Sequence, residues 1–226
     1  AGDDRYEADR PAFARAAAGG AALLVERAGR DRYRAAGGVG HAADGVALLF
    51  DDGGDDRVEL SGPGLGAADG PGLAAVLDAW GNDVRLALGR LPDPGSASVF
   101  ALGAARGGGV ALFADRDGRD VYRAAGRAGG FAGEGGVAVF LDAGGDDLLS
   151  FGAESLGSAA DGGFALFRDL AGDDRVLSRD RSQGFADAGL ALHVDDAGTD
   201  ERLSRRPSVG VSERGGTAIF VDLDGR

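Results

Sequence analysis

Three residue types are missing from this chain of 226 residues: cysteine, methionine and lysine. Without cysteine, the protein cannot be a disulfide-linked scaffold, a Cys-ligated zinc protein or a thiol enzyme. All side-chain basic charge comes from 24 arginines against 37 acidic residues, and the net charge of −13 argues against nucleic acid as a partner. No apolar run reaches the roughly 18 residues that a membrane-spanning helix needs.

Residues that usually carry catalysis are also scarce. The two histidines lie far apart in the sequence, and no nucleophile-elbow pattern is present. A binding or active site should break the repeat described below, and the residues that do so include Trp80, His193 and Asp93. We treat these three as a possible binding surface, since an exposed Trp80 can stack on a sugar. His193, however, occupies an apolar position, where a histidine is more often a hydrogen-bonded core residue.

Glycine is abundant, at 43 residues, and it punctuates a tandem repeat. The consensus is small-Ala-Φ-Φ-Φ-Asp-x-x-Gly-x-Asp-x-Φ, where Φ is apolar and the positions are numbered 1 to 13. About eight copies start near residues 21, 46, 73, 110, 137, 164, 190 and 217. The single longer spacing contains an insertion at 88–109. We interpret 1–226 as one repeat domain whose ends fall inside a repeat, as expected for a piece of a longer array or for a ring or stack.

The repeat predicts an all-β fold. Positions 1 to 5 form a strand, Asp-x-x-Gly forms a turn, and a second strand follows. A unit of about 27 residues cannot bury its own apolar face, so we predict a β-solenoid with equivalent residues about 4.8 Å apart. Hairpins closed as a small β-propeller are the alternative. Apolar residues at positions 1 to 5 predict a strand covered on both faces, and helix is expected only near residues 7–18.

Stacking would place aspartates in columns at positions 6 and 11. Two carboxylates about 4.8 Å apart repel by roughly 3.5 kcal/mol at an effective dielectric of 20, so the repulsion must be relieved. The first interpretation is that each aspartate caps its own turn, with the carboxylate in water or paired with arginine. The alternative is calcium, which prefers carboxylate ligands. The candidate calcium ligands are Asp51, Asp56, Asp142, Asp147, Asp169, Asp174, Asp195, Asp200, Asp222 and Asp224.

Residues 155–177 and 182–203 carry a resemblance to a known class of proteins. They read SLGSAADGGFALFRDLAGDDRVL and SQGFADAGLALHVDDAGTDERL. They resemble bacterial Gly/Asp-rich tandem-repeat proteins of uncharacterised function, whose pattern runs roughly SQGxGxxGxGxLxDxxGDDxY. The similarity to RTX-type calcium repeats is looser. The first resemblance implies a repeat fold and no activity, and the second implies an extracellular or cell-envelope setting, with a cytoplasmic one as the alternative.

These patterns favour a noncatalytic repeat scaffold that acts in surface presentation, protein binding or self-assembly. Its partner would be another protein or a second copy of the chain. The first alternative is a calcium-dependent extracellular binding module, with calcium as the only cofactor considered. The second alternative is a polysaccharide-acting β-helix enzyme, for which carbohydrate would be the ligand and the insertion at 88–109 would form the groove.

Overall fold

The computed structural model describes residues 2–89, 99–206 and 208–223, and within them the protein is all-β. Eight successive coils form three faces, two with eight strands each and one with seven, and neighbouring strands of each face pair in parallel. The β-solenoid prediction is confirmed. The propeller alternative is wrong, because hairpins would pair antiparallel and all the strand pairings described here are parallel.

Sheet A contains eight strands in coil order. They are β1 (Arg5–Ala8), β4 (Arg32–Ala35), β7 (Arg57–Leu60), β10 (Val84–Ala87), β13 (Val121–Ala124), β15 (Leu148–Phe151), β18 (Arg175–Ser178) and β21 (Glu201–Ser204). Sheet B consists of shorter strands in two groups. They are β2 (Arg15–Ala17), β5 (His41–Ala43), β8 (Ala67–Asp69) and β11 (Ala105–Arg106), then β16 (Ala159–Ala160), β19 (Ala186–Asp187) and β22 (Ser212–Glu213). Bridges through Ala132 join the two groups.

Sheet C is formed by the repeat's first strand and is the most regular face. Its strands are β3 (Ala21–Glu26), β6 (Val46–Asp51), β9 (Leu73–Asp78), β12 (Val110–Asp115), β14 (Val137–Asp142), β17 (Phe164–Asp169), β20 (Leu190–Asp195) and β23 (Thr217–Asp222). Every strand has six residues and pairs with its neighbour without a register shift. Equivalent side chains of the repeat therefore form continuous columns along the solenoid.

The alternation of side chains along each sheet-C strand decides which columns are interior. Positions 2, 4 and 6 are buried in most coils, whereas positions 1, 3 and 5 face outward. The invariant alanine of position 2 packs against the small residues of sheet B, where a larger side chain would not fit. At position 4, the rings of Phe113, Phe140 and Phe167 stack with centroids 4.9 and 5.2 Å apart.

The invariant glycine of position 9 is explained by backbone contact between coils. At Gly145, with a φ of 133°, an added Cβ would lie 1.5 Å from the carbonyl oxygen of Gly118 in the preceding coil. Gly54 has the same relation to Gly29. Such a distance is far below van der Waals contact, so no other residue fits while the coils keep their spacing.

The helix expected at residues 7–18 is not formed. The segment instead contains the end of β1, a turn and β2, with positive φ at Phe13 and Ala14. Its strands pair with the next coil, as Ala16 does with Ala42. Stacking on the neighbouring coil supplies hydrogen bonds and burial that a short isolated helix lacks, so tertiary pairing overrides local helix propensity.

The insertion at 88–109 is only partly described. Its second half rejoins the solenoid, because Phe100 and Val99 are buried and Ala101 bridges to the coils on both sides. Residues 90–98 lie outside the described residues. Over the part of the chain that the structure describes, no helix is long and apolar enough to cross a membrane.

Candidate functional site

The aspartates of position 11 lie inside the solenoid and join one coil to the next. In each coil, one carboxylate oxygen accepts a hydrogen bond from the backbone N–H of the equivalent residue in the preceding coil. At Asp147, the oxygen Oδ1 lies 2.6 Å from the N–H nitrogen of Asp120, and at Asp174 the corresponding distance is 2.7 Å. These aspartates therefore cap the neighbouring coil rather than their own turn, and they are buried rather than exposed to water.

The aspartates of position 6 lie beside them in the same interior. Asp51 and Asp142 each accept a hydrogen bond of 3.3 Å from the backbone two residues on, as a turn cap does. Unlike ordinary turn caps, however, these side chains are shielded from solvent, and Asp142 is only 1% exposed. Two columns of carboxyl groups thus run side by side through the protein interior.

One arginine, Arg85, lies inside the acidic columns. It occupies position 13, where neighbouring coils have Val58 and Tyr122, and its side chain is 3% exposed. Its guanidinium donates to Asp83 and Asp115 at 2.6 Å each and also contacts Asp78. The group also lies over the rings of Phe113 and Tyr122, as cation–π contacts do. Arg85 therefore partly neutralises three buried carboxylates at once.

Arg202 repeats this arrangement near the other end of the solenoid. It also occupies position 13, and it forms ion pairs with Asp195, Asp200 and Asp222. Between the two arginines, position 13 holds Tyr122, Leu149 and Val176. The hydroxyl of Tyr122 lies 2.8 Å from Asp115 and 3.1 Å from Asp120, and these two carboxyl groups share its single proton. The two coils that follow offer no side-chain donor at this position.

Burial sets the protonation chemistry of these columns. It raises the pKa of Asp142, Asp147 and Asp169 well above the ordinary value, because each charged carboxylate is desolvated and faces other carboxylates. Several oxygens have no hydrogen-bond partner within the described residues, including Oδ2 of Asp142 and of Asp147 and Oδ1 of Asp169. Unpaired buried carboxylates are costly, so these groups require protons or a cation.

The calcium ligands predicted from the sequence therefore have a different setting from the one expected. The described ones lie in two adjoining columns, and seven of them are buried rather than in solvent-facing turns: Asp51, Asp56, Asp142, Asp147, Asp169, Asp174 and Asp195. Near the end of the columns, Asp200 is half-buried and Asp222 is exposed. Asp224 lies outside the described residues. Two triads bring carboxylate oxygens within 4.8 Å of one another, namely Asp78, Asp83 and Asp115, and Asp120, Asp142 and Asp147. Arg85 already fills the first.

Of the possible binding surface formed by Trp80, His193 and Asp93, the structure describes two residues, and only Trp80 is exposed. His193 lies in the aromatic column, 1% exposed and stacked between Phe167 and Phe220, which is the core position that its apolar column favoured. Its Nδ1 lies 3.2 Å from the carbonyl oxygen of Leu156, and burial lowers its pKa to about 3. Asp93 lies outside the described residues.

Trp80 is exposed in the turn after β9, and Arg116 lies over its ring with 4.5 Å to the centroid. We expect Trp80→Ala to lower the free energy of unfolding by less than about 1 kcal/mol, since an exposed cation–π pair contributes about that much. Chemical denaturation of the two proteins measures this difference. A larger loss would show that the ring holds the neighbouring turns together.

Sequence reasoning missed Arg85 and Arg202. Both break the consensus, because position 13 is otherwise apolar or aromatic. A charged residue in an apolar column indicates either an outward rotation of the strand or a buried counterion. Because the columns at positions 6 and 11 are acidic, an arginine at position 13 was the feature of the sequence that could have predicted a buried ion pair.

The outer face of sheet C, called here the apolar face, is the second notable surface. It consists of positions 1, 3 and 5 of the eight sheet-C strands, and of these 24 positions only Arg168 and Thr217 are not apolar. Leu73 and Val110 are each 41% exposed. On the outer face of sheet A, by contrast, nine of 16 positions are charged. The sequence predicted a strand covered on both faces, yet no described residue covers this one.

Comparisons of this chain with protein-family models, with curated proteins and with solved structures found no match.

Proposed function

We propose that this protein is a noncatalytic solenoid scaffold that self-associates through the apolar face. The observation that carries the proposal is the contrast between two sheets of one rod. Sheets A and C have the same number of strands and the same stacking, but only sheet C has an almost entirely apolar exterior. Contiguous apolar surface on this scale marks an interaction site.

The area of the apolar face suits a pairing of two copies. Eight strands about 4.8 Å apart and six residues of about 3.3 Å each give a footprint of roughly 750 Å². Two such faces bury roughly 1,500 Å² in total, which lies within the range of stable protein–protein interfaces. Sheets that pack face to face in this way lie about 10 Å apart.

The regular spacing of the face favours a second copy over an unrelated partner. Each column on the apolar face repeats at the interval set by the parallel strands, without a register shift along β3 to β23. Ridges with one repeat distance interdigitate along their whole length only with grooves of the same repeat distance. An identical sheet meets this requirement over all eight coils.

The proposal predicts that charge on the apolar face prevents association. Leu112 and Val139 are adjacent in the central column of that face, on β12 and β14. We expect the Leu112→Arg/Val139→Arg protein to be a monomer by light scattering after gel filtration, and the unmodified protein to have twice the chain mass. Buried, unpaired guanidinium groups would oppose pairing, while Arg168 shows that this sheet tolerates an outward arginine.

The matched control is Val121→Arg/Leu148→Arg on the outer face of sheet A. These two residues are also adjacent across coils, and their column already holds Arg57 and Arg175. This variant should remain a dimer. A monomeric unmodified protein at micromolar concentration, or a dimeric Leu112→Arg/Val139→Arg protein, would refute self-association through the apolar face.

The enzyme alternative has little support among the described residues. It required Trp80 and Asp93 to line a groove at the 88–109 insertion. Trp80 lies in a turn with Arg116 against its ring, and Asp93 is outside the described residues. The buried carboxyl groups belong to the repeat and face the interior, where a polysaccharide cannot reach them.

A further inference from the structure

One group of buried carboxylates has no arginine among its contacts. Asp120, Asp142 and Asp147 bring carboxylate oxygens within 4.8 Å of one another, and each of the three residues is at most 4% exposed. Oδ2 of Asp142 and Oδ2 of Asp147 are shielded from solvent and have no hydrogen-bond partner in the described residues. Backbone N–H groups donate to Oδ1 of each of the three residues, and the Tyr122 hydroxyl lies 3.1 Å from Oδ2 of Asp120, but none of these donors adds a positive charge.

The same chain twice places a cation among the carboxylates of the two acidic columns. Arg85 binds the triad of Asp78, Asp83 and Asp115, and Arg202 binds that of Asp195, Asp200 and Asp222. In both, position 13 provides the guanidinium. Each of those triads consists of positions 6 and 11 of one coil and position 6 of the next, whereas Asp120, Asp142 and Asp147 are position 11 of one coil and positions 6 and 11 of the next. In the coil of Asp142 and Asp147, position 13 is Leu149, which is apolar and 1% exposed. The protein thus supplies its own cation on either side of this triad and none within it.

Proton sharing is the other way to neutralise buried carboxylates, and nearby pairs use it. The carboxyl groups of Asp169 and Asp174 are hydrogen-bonded to each other, as are those of Asp51 and Asp56. In contrast, Oδ2 of Asp142 and Oδ2 of Asp147 have no hydrogen-bond partner among the described residues. A single proton shared by two of the carboxylates would leave negative charge on this cluster of three groups.

We propose that Asp120, Asp142 and Asp147 bind one calcium ion inside the solenoid. Calcium prefers carboxylate oxygens at about 2.3–2.6 Å, so two oxygens on opposite sides of the ion lie about 4.6–5.2 Å apart. The triad has oxygens within 4.8 Å of one another. Magnesium, with bonds of about 2.0–2.1 Å, requires a tighter cluster and keeps its waters, which suits a dry interior less well.

This site goes beyond the apolar face and is independent of it. It lies between the inner sides of the sheets, whereas self-association uses the outer side of sheet C. Calcium binding can therefore succeed or fail without any change in oligomeric state. The ion would act as the structural equivalent of Arg85 in the fourth and fifth coils.

The test measures calcium retained by the full chain. The protein is refolded from denaturant at about pH 7.5 with millimolar calcium chloride, desalted, and analysed for metal by mass spectrometry. We expect one calcium per chain and a higher melting temperature than after refolding with chelator, as binding to the folded state alone requires. Magnesium chloride in the same protocol should leave at least tenfold less metal.

Three variants locate the ion. Asp142→Asn/Asp147→Asn should retain no calcium, and without calcium it should melt at a higher temperature than the unmodified protein because the repulsion is removed. Leu149→Arg should also retain none, because its guanidinium would take the place that Arg85 has in its own coil. The control Asp146→Asn/Asp173→Asn removes the same charge from two exposed residues of the same two coils and should retain calcium. In the unmodified protein the N–H of Asp173 donates to Oδ1 of Asp146, a bond that an asparagine oxygen can also accept.

The proposal is overturned if the refolded protein retains no calcium above the chelator-treated level, or if it retains magnesium equally well. It is also overturned if both Asn variants behave alike, since the ion would then not depend on the interior pair. Calcium retention by the Leu149→Arg protein would place the ion elsewhere and equally contradict the assignment.

Discussion

Replacing Arg85 by methionine is expected to lower the free energy of unfolding by about 3–5 kcal/mol at about pH 7.5, the usual cost of removing one partner from a buried ion pair. The guanidinium contacts Asp78, Asp83 and Asp115 in an interior that solvent does not reach. Methionine keeps much of the apolar volume but leaves the three carboxyl groups facing one another. Denaturant titration followed by circular dichroism measures the loss.

Arg57→Met is the matched control for this substitution. Arg57 lies on the neighbouring strand β7, its side chain is 43% exposed, and it pairs with Glu59 at 2.6 Å. An exposed pair of this kind contributes about 0–1 kcal/mol, so the control should lose little. If Arg85→Met and Arg57→Met differ by less than about 1 kcal/mol, Arg85 does not stabilise the acidic columns.

The melting temperature measured with chelator is expected to rise as the pH falls from about 8 to about 5.5. Burial raises the pKa of many carboxyl groups, including those of Asp56 and Asp120 to about 7. A group whose native pKa exceeds its unfolded value stabilises the fold fully below the unfolded value. That contribution is lost as the pH rises through the native pKa, here from 3.8 through about 7.

Two buried histidines have the opposite effect on the melting temperature as the pH falls. Burial lowers the pKa of His193 to about 3 and that of His41 to about 4, so the unfolded chain takes up these protons first as the pH falls below 6.5. Eleven aspartates with raised pKa, all but Asp200 buried, outnumber the two histidines: Asp31, Asp51, Asp56, Asp78, Asp83, Asp120, Asp142, Asp147, Asp169, Asp174 and Asp200. The aspartates should therefore determine whether the melting temperature rises or falls as the pH is lowered.

Scanning calorimetry at the two pH values tests this balance. We expect the melting temperature at about pH 5.5 to be higher by more than about 5 °C, since 1 kcal/mol changes it by about 2–4 °C in a chain of this size. His193→Phe, which matches Phe167 and Phe220 in its column, should increase the difference by removing one opposing group. A melting temperature that falls toward pH 5.5 would show that the aspartates are ionised in the folded protein.

The aspartate columns of the candidate site could be predicted because stacking aligns equivalent positions of the repeat. Once Asp142 and Asp169 are recognised as equivalent, a parallel solenoid must place them in one column, and their repulsion follows from Coulomb's law. The direction in which that column points could not be predicted, since positions 2, 4 and 6 and positions 1, 3 and 5 alternate regardless of which set is inside. Water-facing turn caps and buried columns are therefore equally compatible with the repeat.

The same limit explains the outcome for single residues. The repeat placed His193 in one column with Phe167 and Phe220, and the structure shows that this column is interior. The role of Arg85 did not follow, because its partners belong to different coils and include Asp115, which is 30 residues away. The two side chains meet because Arg85 on sheet A and Asp115 on sheet C both point into the interior.

The sequence by itself determined the all-β class, the repeat of about 27 residues and its invariant alanine and glycine positions, and it favoured a stacked solenoid over hairpins closed as a propeller, because each depends on the repeat's spacing and on side-chain size. Only the tertiary structure decided which face of each strand is inside, and with it the burial of the acidic columns, the enclosure of Arg85 and the exposure of the apolar face. The physical reason is that burial is a property of packed sheets. Alternation along a strand defines two faces. Contact with the other two sheets of the coil decides which of these two faces is buried.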